Sequence, residues 1–133
     1  MSFFQKFILA LCFAIAFFVP VWFLGLGIVV GILYAVFSLF SGDYFLFFIP
    51  LVSALGAVGF WGICQLLAKA LDSAINIASP KRLRIYLCLG VVSLSIAATI
   101  AALKLGVYGL FCLFPFLVTL FLVNYHRAYL TSK

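Results

Sequence analysis

The chain is dominated by four long stretches without charged side chains. Asp, Glu, Lys and Arg are all missing from residues 7–42, 44–68, 85–103 and 105–126. An uncharged, mostly apolar stretch of about 18 residues or more is typical of a helix that crosses a membrane. A barrel strand would alternate apolar and polar residues, and runs such as 45–51 do not alternate. The pattern therefore predicts an all-α, polytopic membrane protein.

The same pattern sets the expected spans within a single transmembrane domain, residues 1–133. As one helix, residues 7–42 would measure about 54 Å, against a hydrocarbon core of about 30 Å. A hairpin that turns near Pro20 would divide this stretch into two short spans, which makes five spans the alternative. We expect four spans, at about residues 7–40, 45–68, 84–103 and 107–124.

The charged residues then indicate an orientation. With four spans, every basic residue except Lys104 lies on one side of the membrane, and by the positive-inside rule that side is cytoplasmic. We therefore expect both termini in the cytoplasm and the protein in an inner (cytoplasmic) cell membrane. The net charge of +6 is explained by topology, so the lipid bilayer and not nucleic acid is the expected partner. The residues on the basic side are Lys6, Lys69, Lys81, Arg82, Arg84, Arg127 and Lys133.

Two local signals mark where helices end and begin. The Gly and Asp of residues 41–44 predict a turn between the first two spans. Ser79 followed by Pro80 is typical of a helix start, with Ser as the N-cap and Pro at the first helical position.

The polar residues between the second and third spans suggest an amphipathic helix. Gln65, Lys69, Asp72, Asn76 and Ser79 are spaced by four, three, four and three residues, which places them on one helical face. We expect the second span to continue as a cytoplasmic amphipathic segment over residues 69–83, in which Lys69 and Asp72 can pair. Its polar face would lie among the lipid headgroups or contact a partner. Lys69, Asp72 and Asn76 are the candidate contact residues on the cytoplasmic side.

The spans carry few groups that could do chemistry. None contains a carboxylate or a basic side chain, although carriers and pumps usually need an ionisable group at membrane depth. Asp43 and Asp72 are predicted on opposite sides of the membrane. His126 stands beside Arg127 without visible partners and is expected at the membrane interface. No catalytic, cofactor or metal site is predicted; an enzyme that uses Asp72, His126 and Arg127 on lipid is the third hypothesis.

Small residues recur at a spacing that favours close helix packing. Gly27, Gly31 and Ala35 are four residues apart, as are Ser93, Ala97 and Ala101. Small side chains at this spacing let helix backbones approach closely in lipid. We expect these two sets to pack within the bundle or against a partner.

These observations favour a non-enzymatic membrane protein that acts by helix–helix contact with another membrane protein or a second copy. The short loops and four spans are similar to the layout of small bacterial inner-membrane proteins, which include immunity proteins against pore-forming toxins and accessory subunits of larger complexes. An immunity or accessory/assembly role is thus the leading hypothesis. The alternative is a small homo-oligomeric channel or carrier, with a pore lined by Ser53, Ser93, Ser95 and Thr99.

Overall fold

The computed structural model describes residues 1–107 and 113–132, apart from the side chains of residues 45, 46, 101 and 105. Every regular element in these residues is helical, which confirms the predicted all-α class. Three of the helices, α1 to α3, are long and apolar enough to cross a membrane, and they indicate a membrane protein. The elements are α1 (Phe3–Ser41), a short 3-10 helix (Tyr44–Phe47), α2 (Phe48–Leu71), α3 (Pro80–Leu105), α4 (Leu113–Tyr125) and α5 (Arg127–Leu130).

The first apolar stretch forms one continuous helix. α1 contains 39 residues and passes through Pro20 without a turn, so the hairpin alternative is not formed. Pro20 lacks an N–H group and removes one helical hydrogen bond, but the apolar residues on both sides offer no polar turn to replace the helix. A capping box between Ser2 and Gln5 starts α1. Gly42, with a φ of 74°, closes it, as the predicted turn requires.

α1 and α2 run in opposite directions and approach each other at small residues. Near the start of α1, the ring of Phe17 lies 5.5 Å from that of Phe60 in α2. Further along, a Cβ atom added at Gly31 would lie only 2.9 Å from the Cβ atom of Pro50. α2 then approaches α3 even more closely, because a Cβ atom added at Gly90 would lie 2.7 Å from the Cα atom of Gly59.

The buried core lies toward one end of the bundle. We call this the basic end, formed by residues 1–9, 66–84 and 122–132, and the opposite end, formed by residues 32–47 and 98–107, the far end. The core is built by apolar side chains from α1 to α4, together with Leu130 of α5. Its fully buried members are Leu66 of α2, Leu83 of α3 and Leu122 of α4.

The segment between α2 and α3 differs from the prediction. α2 ends at Leu71, and Asp72 is extended, with a φ of −139°. Residues 72–79 are not helical, so the predicted amphipathic helix over residues 69–83 is wrong in this part. α3 nevertheless begins as predicted, with Ser79 at the N-cap position and Pro80 as its first residue.

Hydrogen bonds to side chains explain why this segment leaves the helix. The Oδ1 atom of Asp72 accepts a hydrogen bond from the N–H of Ala74 at 3.0 Å, which stabilises a turn in place of another helical turn. The backbone of Ala78 is held twice. Its N–H donates to Oε1 of Gln65 at 2.9 Å, and its carbonyl accepts from the hydroxyl of Tyr129 at 3.1 Å.

The predicted fourth span is described only in part. α4 covers Leu113–Tyr125, and residues 108–112 lie outside the described residues. α3 ends at the far end and α4 ends at the basic end. The chain therefore passes from one end of the bundle to the other between Gly106 and Tyr125.

Candidate functional site

The directions of the helices collect the basic side chains at one end. Two charged residues lie at the far end. Lys104 lies near the end of α3, and Asp43 lies between α1 and α2. Lys133 lies outside the described residues. The remaining basic residues share the basic end, namely Lys6, Lys69, Lys81, Arg82, Arg84 and Arg127.

A cleft of about 360 Å³ opens at the basic end, where the start of α1 meets the ends of α2 and α4. Lys6 and Lys69 are both half-buried. Within the described part of the chain, neither has a carboxylate within 4.0 Å. We call this the basic cleft, and it is lined by Lys6, Lys69, Ser73, Tyr125 and His126, with Met1 and Ala70.

His126, which is predicted at the membrane interface, makes a buried contact between two helices. Its side chain is 9% exposed, and its Nε2 atom lies 3.1 Å from the carbonyl oxygen of Leu66. Because a carbonyl oxygen only accepts, Nε2 must carry a proton and donate it. This hydrogen bond connects the junction of α4 and α5 to α2.

The surroundings of His126 favour the neutral imidazole. Burial lowers its pKa from the ordinary value of 6.5, the hydrogen bond to Leu66 raises it, and the positive charge of Lys69 lowers it again. The net direction is downward. His126 is therefore uncharged at neutral pH, and the positive charge of the basic cleft comes from its lysines.

Lys69 contacts an aromatic ring and not Asp72, although the spacing of the two residues would allow them to pair. Its Nζ atom lies 5.1 Å from the centre of the Tyr129 ring, a cation–π contact, and it forms no ion pair with Asp72. Asp72 instead turns toward the amide of Ala74. Asp72 and Asn76 are exposed on the segment after α2. Lys69, Asp72 and Asn76 do not share one helical face, and their contact with a partner stays a prediction.

Most of the predicted small-residue positions pack inside the chain. Gly27 lies against Ser53, and Gly31 lies against Pro50. Ser93 donates a hydrogen bond to the carbonyl oxygen of Val52 at 2.8 Å, which joins α3 to α2. These contacts are intramolecular.

The other members of the two sets have different surroundings. Ala35 is half-buried, and its carbonyl accepts a hydrogen bond from Ser38 at 2.7 Å. Ala97 is exposed on α3, and the side chain of Ala101 lies outside the described residues. Whether either set contacts a partner stays a prediction.

The hydroxyl groups proposed to line a pore face two different environments within one chain. Ser53 and Ser93 are buried between helices. Ser95 and Thr99 are exposed on α3, where each donates to a carbonyl of its own helix, at 2.7 and 2.8 Å. A shared polar path would need a second copy of the chain.

A shallow, open and largely apolar depression on α4 lies next to the basic cleft. It has a volume of about 590 Å³, and we call it the apolar groove. The ring of Phe121 in the groove stacks on the ring of Tyr125 in the cleft, with centroids 6.2 Å apart. The sequence did not predict this contact, although aromatic residues four apart on a helix are a signal for it. The groove is lined by Leu120, Phe121, Val123, Asn124 and Arg127.

The described residues contain no group of three or more His, Cys, Asp or Glu side chains that could hold a metal ion. No protein family, curated protein or solved structure matches this chain. Its function must therefore be argued from the residues and their geometry.

Proposed function

We propose that this chain is a small, non-enzymatic, multi-pass membrane protein that acts by helix–helix contact with another integral membrane protein, in an immunity or accessory/assembly role. The observation that carries the proposal is the outer segment of α1, residues 32–41. This segment is apolar, exposed, and continuous with a helix that is longer than a bilayer needs.

The length of α1 can be compared directly with the membrane. Its 39 residues measure about 58 Å at 1.5 Å per residue. Even at a tilt of 40°, the upper end of the usual range, the helix would span about 45 Å along the membrane normal. The hydrocarbon core is about 30 Å thick, so acyl chains alone leave part of α1 uncovered.

The outer segment of α1, which extends furthest from the basic end, has large apolar side chains that are exposed. Leu33 is 66% exposed, Phe37 65% and Phe40 86%, whereas Ser38 is fully buried. Outside the hydrocarbon core, headgroups and water cannot cover such side chains favourably. Large exposed apolar patches mark interaction sites in other proteins, and an apolar helix of a second protein would cover this one.

The proposed topology has four crossings, with the basic end in the cytoplasm. The return of the chain from Gly106 at the far end to Tyr125 at the basic end supports the fourth crossing over residues 107–124. The collection of basic residues at one end supports the orientation. Fusion of green fluorescent protein or alkaline phosphatase after residue 133 tests it: fluorescence without phosphatase activity is expected, and the reverse result would contradict the orientation.

Site-specific photo-crosslinking tests the partner. A benzophenone side chain placed at Phe37 in the outer segment should yield a protein adduct of discrete mass in native membranes. Phe18 is the matched control, because it is a phenylalanine of α1 with the same 65% exposure. Phe18 lies in the half of α1 nearer the basic end, where acyl chains cover it. Equal protein adducts at both positions, or none at Phe37, would refute the proposal.

The second candidate is a homo-oligomeric channel or carrier. It is favoured by the exposure of Ser95 and Thr99 on one side of α3. An adduct with twice the mass of the chain would indicate self-association, and ion flux into liposomes that contain only this protein would then distinguish a channel from a structural dimer.

A further inference from the structure

The two lysines of the basic cleft have an unusual position relative to the apolar stretches. Lys6 directly precedes the uncharged residues 7–42, and Lys69 directly follows the uncharged residues 44–68. Both ammonium groups therefore lie at the level of the lipid headgroups, whichever side of the membrane the basic end occupies. They are half-buried and share one cleft.

In the part of the chain that the structure describes, the cleft offers donors and positive charge without a counter-ion. In residues 1–107 and 113–132, no carboxylate lies within 4.0 Å of either lysine. The hydroxyls of Ser73 and Tyr125 form no hydrogen bond to another described residue. Half-buried cations are stabilised when an anion neutralises them, and charge-assisted hydrogen bonds from ammonium groups to phosphate are among the strongest available.

The shape of the neighbouring surface indicates what kind of anion fits. Phe121 lines the apolar groove and Tyr125 lines the cleft, and their rings stack on each other. Leu120 and Phe121 in that groove are half-exposed or more. A ligand with a phosphate at one end and an acyl chain at the other would fill both spaces, whereas a free phosphate would leave the groove uncovered.

We propose that the basic cleft, through Lys6 and Lys69, binds the phosphate of an anionic membrane lipid whose acyl chain lies in the apolar groove. The headgroup phosphate accepts hydrogen bonds from the two ammonium groups. The acyl chain packs along the groove beside the Phe121–Tyr125 pair.

Native mass spectrometry of the full chain in mild detergent tests this site. Phosphatidylglycerol should bind with one preferred lipid per chain, and more tightly than phosphatidylcholine with the same acyl chains. The Lys6→Gln variant should bind phosphatidylglycerol several-fold more weakly, and the Lys6→Gln/Lys69→Gln double variant about tenfold or more. Lys69→Arg keeps the charge and should retain binding.

The matched control removes the same charge from the same end of the bundle. Lys81 and Arg82 are exposed and do not line the cleft. The Lys81→Gln/Arg82→Gln double variant should therefore change binding by less than about twofold, the scale expected of exposed charges in salt. An equal loss in this variant would show that the whole basic end attracts lipid, and it would overturn the specific site.

Two further outcomes would overturn the proposal. Equal binding of phosphatidylcholine and phosphatidylglycerol would mean that net negative charge is not recognised. Competition by glycerol 3-phosphate at the concentration of the lipid would mean that the cleft takes a soluble phosphate and that the groove contributes nothing. Lys6→Gln keeps the test independent of folding, because the contact of Lys69 with Tyr129 is left intact.

Discussion

The two ends of α1 contain the same residue types but pack very differently. Phe13 and Phe17, toward the basic end, are 8% and 5% exposed, whereas Phe37 and Phe40 at the far end are 65% and 86% exposed. The first pair stacks on each other, at 4.6 Å between ring centres, and both rings lie near Phe60 of α2. Hydrophobicity is thus similar along the helix, and the number of helices that surround it decides burial.

Polar contacts follow the same division. Near the basic end, side chains of α2, α4 and α5 bond to backbone groups far away in the sequence, such as His126 to Leu66 and Tyr129 to Ala78. Toward the far end, Ser95 and Thr99 bond only to their own helix. We infer that stability resides toward the basic end and that the far end is available for a partner. Four predictions test this division, from the largest expected effect to the smallest.

A leucine in the core should contribute much more to the free energy of unfolding than a leucine at the far end. Leu66→Ala should lower the free energy of unfolding by about 3 kcal/mol, because it removes a fully buried side chain and leaves a cavity. Leu33→Ala, at a position that is 66% exposed, should change it by less than about 0.5 kcal/mol. Unfolding of the detergent-solubilised protein, followed by circular dichroism, measures both. Equal losses would mean that the two ends do not differ in stability.

A glycine that touches another helix should tolerate substitution less well than a free one. Gly31→Leu should destabilise the fold by about 2 kcal/mol, because Pro50 leaves no room for a Cβ atom. Gly25→Leu is the control on the same helix, since nothing lies within 4 Å of a Cβ atom there. The same unfolding assay compares them. If Gly31→Leu instead kept full stability and abolished only partner binding, Gly31 would be a contact residue for the partner.

The hydrogen bond between α3 and α2 should have a measurable but smaller effect. Ser93→Ala removes the donor to the carbonyl oxygen of Val52 and should cost about 1 kcal/mol. Ser95→Ala removes only a bond within α3 and should cost close to nothing. Unfolding of the two single variants in the same detergent measures the difference. Equal stability of the two variants would mean that the hydrogen bond of Ser93 does not stabilise the contact between α2 and α3.

The smallest predicted effect is a pH dependence of stability, which arises at the basic end alone. The pKa of His126 is lowered in the fold, so the unfolded chain binds a proton more readily. Stability is therefore complete above pH 6.5 and falls as the pH drops below that value. Thermal unfolding at pH 7.5 and pH 5.5 measures the change.

His126→Gln is the control for this pH dependence. Glutamine keeps a donor for the carbonyl of Leu66 but does not titrate, so the difference between the two pH values should disappear. His126 is the only histidine in the chain, and no other side chain has its ordinary pKa in this range. A pH dependence that persisted in the variant would locate the titrating group elsewhere.

Much of the architecture follows from local patterns in the sequence. The uncharged stretches predict the long helices, and Gly42 and Ser79–Pro80 predict where two of them end or begin. These features depend only on residues that are close in the sequence. The continuity of α1 through Pro20 was left open, because a proline can either bend or end a helix.

The non-helical segment after Leu71 shows a feature that local patterns in the sequence do not predict. The polar residues from Gln65 to Ser79 have helical spacing, yet Gln65 and Tyr129 hold Ala78 outside a helix. Tyr129 lies 51 residues away from Ala78, and His126 lies 60 residues away from Leu66. Contacts over such separations depend on how the helices pack. For the same reason, the basic cleft and the apolar groove were not predicted.

The double attachment of Ala78 also has a consequence for biosynthesis. Gln65 is already present when Ala78 leaves the ribosome, so the hydrogen bond to its N–H can form early. The carbonyl of Ala78 must wait for Tyr129, and the carbonyl of Leu66 for His126. Until those last residues are translated, the segment after α2 is held at one point only. The segment after α2 therefore gains its full set of long-range contacts only after Tyr129 and His126 have been translated.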